Sequence, residues 1–168
     1  DRAMAVNAEA TGHVADAVAE TGAHLLYVST DYVFDGTKPS PYEEDDETNP
    51  LSAYGRSKLA GEQRVGPEST IARISWVCGA HGSNMVKTIL RLAGEHDTLT
   101  FVDDQRGHPT FTADLAPALV TLAVDRRDEC LVQTLDDLVR DEVALVLDFL
   151  DLVRLVPGGR IGGPHLFE

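Results

Sequence analysis

Two short stretches carry the residue types that are able to do chemistry in this chain. Ser29 and Thr30 end an apolar run that starts at His24 and predicts a buried β-strand. Tyr54 and Lys58 lie four residues apart in a helical pattern, so both side chains rise from one helix face. A hydroxyl at a strand end beside a Tyr/Lys pair suits the donation of a proton to a carbonyl oxygen while a nicotinamide cofactor delivers hydride.

The Tyr/Lys pair indicates catalysis only together with the residues around it. A tyrosine hydroxyl is a weak acid–base group near neutrality because its ordinary pKa is about 10. An adjacent ammonium favours the phenolate, so Lys58 is expected to lower the pKa of Tyr54. A lone pair at this spacing is more often a solvated helix pair. The strand end at Ser29 and Thr30 favours the catalytic interpretation.

The elements that must position these residues follow from apolar periodicity and from turn residues. A helix is predicted from Ala3 to Thr21, with Gly22 as its end, and Ser52 is predicted to cap the helix of the Tyr/Lys pair. The other predictions are a buried strand over 70–77, a helix over 85–93, a short strand over 99–102, a loop over 103–110 and a helix over 113–124. Such alternation predicts a parallel sheet with helices on both faces.

A dinucleotide-binding fold begins with a strand, a Gly-rich turn and a helix. No such unit is present, and the glycines over 158–163 have the wrong spacing. The predicted fold class is therefore α/β, the C-terminal portion of a doubly wound parallel-sheet (Rossmann-type) fold with part of a small substrate lobe. Residues 1–124 are expected to form a partial NAD(P)-binding and catalytic domain, and 125–168 a divergent C-terminal helix and tail.

The charge excludes some classes of partner. The net charge is −14, from 28 acidic and 14 basic residues among 168. Such a balance disfavours nucleic acid and anionic membranes, which both need a basic footprint. Spread-out acidity fits a protein kept soluble in high salt, so a halophilic habitat is expected. No apolar run is long enough to span a bilayer.

Cysteine and histidine usage points to a reducing compartment and to no metal. Cys78 and Cys130 have neither disulfide-framework nor metal-ligand spacing, and the six histidines are scattered. A cytoplasmic location is the default expectation.

The order of motifs resembles that of a known family. The chain is similar to the extended short-chain dehydrogenases, and within them to the dTDP-4-dehydrorhamnose reductases, over roughly residues 3–124. The matching runs are Ser-Thr-Asp-Tyr-Val-Phe-Asp-Gly at 29–36, Pro-Tyr-Glu at 41–43, Tyr-Gly-x-Ser-Lys-x-x-Gly-Glu at 54–62, Arg-Ile-Ser-Trp-Val at 73–77 and Asp-Gln-x-Gly-x-Pro-Thr at 104–110.

That resemblance implies roles. Tyr54 is then the proton donor to a C4 ketone and Lys58 orients the cofactor, with Ser29 also on the cofactor side. Thr30 and Asp31 contact the sugar, and Thr30 also tunes Tyr54.

It also implies that Trp76 packs on the deoxysugar. The implied reaction is hydride transfer from NADPH or NADH to dTDP-6-deoxy-L-lyxo-4-hexulose, giving dTDP-L-rhamnose. A homodimer is an open expectation.

Several of these residues have plainer interpretations. Trp76 is otherwise a core residue at a strand end, and Asp31 is otherwise a turn cap. Cys78 is expected to be a buried, inert thiol. Asn7 is expected to support the structure of the site.

Two other functional classes stay open. One is a non-catalytic binding subunit, as in the regulatory subunit of methionine adenosyltransferase, which shares the Asp-Tyr-Val-Phe-Asp-Gly run. Thr30 and Trp76 favour the reductase over that relative. The other is a decayed remnant, since the predicted helix over 136–156 and the tail after it match no family pattern.

Overall fold

The computed structural model describes residues 2–101, 105 and 107–125. The chain divides into two compact units. One comprises, of the described residues, 2–74 and 114–125, and the other comprises those between 75 and 113. The predicted division after residue 124 falls where the described residues end, so it stays a prediction. The helix over 136–156 and Cys130 lie outside the described residues.

The first unit begins with a continuous helical run in three parts. Helix α1 (Arg2–Met4) leads into a π-helical segment (Ala5–Glu9) and then into α2 (Ala10–Thr21). Gly22 ends the run with φ 65°, a left-handed conformation that glycine adopts without strain. The predicted helix and its end are both confirmed.

A parallel strand pair forms the sheet of this unit. Strand β1 (Leu26–Thr30) pairs with β2 (Thr70–Ile74), and Ser29 lies opposite Arg73 in the register. Paired residues of parallel strands point to the same face, so Tyr27, Ser29, Ile71 and Arg73 share one face. Tyr27 and Ile71 form a small core cluster there, with Val65 packed against it.

Helix α3 (Ala53–Glu62) carries the Tyr/Lys pair, and a 3₁₀ turn (Asp31–Val33) follows β1 directly. Ser52 caps α3 as predicted, because its side chain accepts a hydrogen bond of 2.9 Å from the Gly55 amide. The 3₁₀ turn is a feature that the sequence pattern did not predict.

The second unit contains β3 (Val77–Cys78), α4 (Met85–Glu95) and β4 (Thr110–Phe111), and β3 pairs in parallel with β4. The strand predicted over 70–77 is wrong in its extent: β2 ends at Ile74, and Trp76 turns the chain with φ 41°. Helix α5 (Thr112–Asp125) agrees with the prediction over 113–124.

Two further assignments, one of a strand and one of a loop, also need correction. In place of the strand predicted over 99–102, Leu99 makes an isolated bridge, and residues 100 and 101 are not strand. Thr110, expected in a loop, is in β4, since its amide donates a hydrogen bond to the Trp76 carbonyl and so joins β3. Among the described residues no helix is long and apolar enough to cross a membrane.

Candidate active site

Helix α3 is wedged against the segment that follows β1. A Cβ added to Gly55 would lie 2.1 Å from the Tyr32 carbonyl oxygen, so only glycine permits this approach. Ser57 is fully buried and accepts a hydrogen bond of 2.9 Å from the Asn7 side chain. Asn7 therefore has the supporting role expected of it. These contacts fix the helix that carries the Tyr/Lys pair relative to the end of β1.

Tyr54 stands half-exposed near the start of α3. Its side chain is 51 % exposed, and its ring meets that of Tyr32 edge-on at 6.2 Å. Within the described part of the chain its hydroxyl has no hydrogen-bond partner. A half-exposed phenol without a protein acceptor is able to meet a ligand.

Lys58 is half-buried one turn further along the helix. Its ammonium lies 4.1 Å from the centre of the Tyr27 ring. Burial lowers the pKa of Lys58, while the nearby Glu62 carboxylate acts in the opposite direction. No acceptor oxygen among the described residues engages the ammonium, so its N–H groups are available to a bound molecule.

Thr30 and Asp31 form a pair at the end of β1. The Thr30 hydroxyl donates to the Asp31 carboxylate at 3.0 Å and accepts from the Tyr32 amide at 3.2 Å. Burial raises the pKa of Asp31, and the Thr30 bond opposes that shift. In the described structure no hydrogen bond joins Thr30 to Tyr54, so the tuning of Tyr54 by Thr30 stays a prediction.

Ser29 is enclosed by the fold. It is 3 % exposed, and its hydroxyl has no partner among the described residues. It lies on the β1 face that also carries Tyr27, opposite Arg73 on β2. An orphaned buried hydroxyl is unusual in a folded protein and is able to bond an added group. Contact between Ser29 and a cofactor remains a prediction.

Arg73 and Glu62 form a buried ion pair that the sequence pattern did not predict. Two hydrogen bonds of 2.8 and 3.1 Å join the guanidinium to the carboxylate, and both side chains are at most 6 % exposed. The guanidinium also lies 4.9 Å from the centre of the Phe34 ring. A charged residue inside an otherwise apolar strand signals such a pair, because a buried charge needs a partner.

Phe34, which contacts Arg73, connects the buried ion pair to the loop after the 3₁₀ turn. Its ring stacks on Tyr42 at 4.1 Å, and the Tyr42 hydroxyl donates to Asp35. Asp35 also accepts from Thr37 and Asn49, and these hydrogen bonds hold the pKa of its carboxyl well below the usual range. The loop is thus tied to the strand end that bears Thr30 and Asp31.

Trp76 belongs to the second unit. Its ring packs against Ile89 of α4, and a Cβ at Gly107 would lie 2.9 Å from that ring. A positive φ at so bulky a residue is a strained conformation. Both interpretations of Trp76, a core residue and a sugar-stacking residue, stay open on these contacts.

Cys78 is a buried thiol in the same unit, and its inertness stays a prediction. It is 2 % exposed, and burial raises its pKa. The described residues contain no cluster of three or more histidine, cysteine or acidic side chains able to hold a metal ion.

The parallel α/β architecture and the Tyr/Lys pair on α3 define the class: a Rossmann-type short-chain dehydrogenase/reductase. The family follows from comparison with known sequences. Residues 1–136 match the model of the RmlD substrate binding domain, and the chain belongs to that family.

Known relatives agree with this assignment. A dTDP-4-dehydrorhamnose reductase of Mycobacterium tuberculosis is 51 % identical over 129 residues, covering 72 % of this chain and 42 % of that protein. A dTDP-4-keto-6-deoxy-D-glucose reductase of Streptomyces niveus is 38 % identical and covers 98 % of this chain and 60 % of its own length. That alignment therefore reaches into the tail, whose sequence pattern alone indicates no family.

A solved structure shares the fold. The dTDP-4-dehydrorhamnose reductase of Bacillus anthracis, determined in complex with NADP, has a TM-score of 0.68 and 42 % identity, covering 72 % of this chain and 44 % of that one. The chain thus spans about two fifths of the length of the M. tuberculosis reductase.

Proposed function

We propose that this chain is the catalytic part of a nucleotide-sugar 4-ketoreductase that reduces dTDP-6-deoxy-L-lyxo-4-hexulose to dTDP-L-rhamnose. The observation that carries the proposal is the pair on α3: a half-exposed Tyr54 hydroxyl and a half-buried Lys58 ammonium, both without hydrogen-bond acceptors among the described residues. Relatives named for this reaction, at about half identity, support it. Cytoplasmic location, halophilic habitat and homodimer formation remain predictions from the sequence.

The residues present fit the nicotinamide half of NADPH or NADH. Lys58 offers ammonium hydrogens to ribose oxygens, and the orphaned Ser29 hydroxyl offers a further polar group. NADPH is the first choice because the B. anthracis relative was solved with NADP. When bound, the cofactor supplies the hydride that goes to the C4 carbon.

The chain's own groups handle the proton and the sugar. Tyr54 donates its hydroxyl proton to the C4 oxygen as the carbonyl is reduced. The positive charge of Lys58 favours that transfer because it stabilises the phenolate left behind. Thr30 and Asp31, already bonded to each other, accept hydrogen bonds from sugar hydroxyls. The packing of Trp76 on the deoxysugar, which the family resemblance implies, stays a prediction.

Replacing Tyr54 tests this assignment. Tyr54→Phe keeps the ring contact with Tyr32 and removes only the proton donor. We expect kcat to fall by about 10²–10⁴-fold, the usual contribution of a general acid. The measurement is NADPH oxidation with the keto sugar, with dTDP-L-rhamnose identified by chromatography.

The controls separate chemistry from folding. Tyr54→Phe should unfold at the wild-type temperature because the hydroxyl has no partner in the described structure. Lys58→Met should also lower kcat, because it removes the positive charge that stabilises the phenolate. Lys87→Met is its matched lysine control, since Lys87 lies in the second unit and bonds backbone carbonyls. Unchanged turnover in folded Tyr54→Phe would refute the role of Tyr54.

A second substrate is favoured by one observation. The S. niveus relative, which covers nearly the whole chain, is named for dTDP-4-keto-6-deoxy-D-glucose. Offering this sugar beside the L-lyxo sugar in the same assay decides between them by the kcat/KM ratio. Saturable sugar-nucleotide binding without turnover of either would instead favour the non-catalytic binding subunit.

A further inference from the structure

Tyr27 lies beneath the helix that carries Lys58. Its side chain is 9 % exposed, on the β1 face that packs against Ile71 and Val65. The Lys58 ammonium lies 4.1 Å from the ring centre. The face of a phenol ring attracts a cation through its quadrupole, most strongly where water is excluded.

The ring is also held through its hydroxyl group. The Tyr27 hydroxyl donates its proton to the Asn7 carbonyl oxygen at 3.1 Å, with the Lys58 carbonyl oxygen at 3.4 Å as a second, weaker acceptor. A Cβ on Gly61 would come within 2.2 Å of the Tyr27 hydroxyl and the Asn7 carbonyl, so the absence of a side chain makes room for this contact. Burial raises the pKa of Tyr27, which keeps the phenol protonated and donating.

Among the described residues, the charged side chains near Lys58 do not bond its ammonium and so do not take the place of the Tyr27 ring. Glu62, four residues along α3, exerts a favourable field on the ammonium. Both Glu62 oxygens, however, are bonded to Arg73 from β2. Thus the Tyr27 ring of β1 is the surface that the ammonium contacts. The Glu62 carboxylate, fixed by its bonds to Arg73, adds only an electrostatic attraction.

We propose that Tyr27 is a positioning residue whose ring seats the Lys58 ammonium, with the Asn7 carbonyl fixing the ring. The seat holds the long lysine side chain in one place before any ligand arrives, so less conformational freedom is lost when the ammonium bonds a ribose hydroxyl. The part that concerns catalysis rests on the proposed function; the seat itself does not.

The seat is testable without activity because the chain has only three lysines, Lys38, Lys58 and Lys87. In the full chain labelled with ¹³C-lysine, each Cε–Hε group gives one NMR signal, and Lys58→Met assigns the signal of Lys58. The Lys58 signal should be displaced upfield by the ring current of Tyr27. Lys38, whose ammonium is 5.8 Å from the Tyr42 ring, should move less, and Lys87 should serve as the unshifted reference.

Two substitutions separate the effect of the Tyr27 ring from that of its hydroxyl group. Tyr27→Phe keeps the π face but loses the hydrogen bond to Asn7 that fixes the ring, so it should retain most of the upfield shift. Tyr27→Leu keeps apolar bulk and should lose the shift. A wild-type Lys58 signal without an upfield shift would overturn the seat even if Tyr27→Leu does not fold. So would a folded Tyr27→Leu chain with the shift intact.

Kinetics then test the link to catalysis. Tyr27→Leu should raise the KM for NADPH by about tenfold, while Tyr27→Phe stays within about twofold of wild type. Equal losses in both variants would refute the positioning role and indicate a structural one. A wild-type chain with the NMR shift but without turnover would refute the proposed function and leave the seat standing.

Discussion

Asp31 is the site carboxyl whose environment most disfavours its charge. It is partly buried at the end of β1, and burial raises its pKa despite the bond from Thr30. Below its ordinary pKa, about 4, the group is protonated in both the folded and the unfolded chain. As pH rises toward the higher folded value, the unfolded chain releases the proton first. Stability contributed by this group is therefore present at low pH and is lost as pH rises through the folded pKa.

The variant Asp31→Asn should remove the loss of stability that the ionisation of Asp31 causes as pH rises. Its amide oxygen still accepts from Thr30, so the local geometry is kept. We expect the melting temperature of Asp31→Asn, relative to wild type, to increase between about pH 4 and neutral pH. Thermal unfolding at a series of pH values measures it, with Asp45→Asn in the exposed loop as the charge-matched control. A difference that does not vary with pH, or that grows toward acid, would contradict this account.

At the scale of elements, the position of α3 depends on glycine at a close contact. A Cβ at Gly55 would lie 2.1 Å from the Tyr32 carbonyl and 3.0 Å from the Pro50 side chain, so the helix would have to move away from the strand end. We expect Gly55→Ala to lower the free energy of unfolding by about 1–3 kcal/mol, as overpacking usually does. Denaturant unfolding measures it.

Gly94 in α4 provides the matched control. It is also a helical glycine, but no atom of the described residues outside its own helix turn lies within 4 Å of a Cβ added there, so Gly94→Ala should stabilise the chain by up to about 1 kcal/mol. If both variants shifted stability in the same direction, the close approach at Gly55 would not be what positions α3.

Local sequence patterns predict the helices and strands well, but they predict poorly how elements far apart in the sequence pair with one another. Gly22 and Ser52 mark helix ends by backbone freedom and side-chain capping, which depend only on nearby residues. The chain turn at Trp76 and the pairing of β3 with β4 depend on residues far apart in sequence, so no local pattern reveals them. Likewise Tyr54 and Lys58 were predictable from spacing. For Tyr27, the sequence pattern predicts only a place in an apolar strand.

At the scale of the whole molecule, charge is the dominant feature. With a net charge of −14 on 168 residues, exposed carboxylates repel one another over distances longer than any ion pair in the structure. Within the described residues, the exposed Arg91–Glu95 pair lies on one turn of α4, and such pairs contribute little. Self-repulsion should therefore decide how stability depends on salt.

Raising KCl from about 0.1 M to about 1 M shortens the screening length from about 10 Å to about 3 Å. The melting temperature of the chain should rise over this range because folded-state repulsion is removed. The triple variant Glu20→Gln, Asp45→Asn, Glu68→Gln neutralises three exposed carboxylates outside the site and should rise less steeply. If the melting temperatures of the two chains rose equally with KCl, salt would act through apolar burial and not through screening, because both chains bury the same apolar surface. A flat wild-type curve would remove the physical basis for a halophilic habitat.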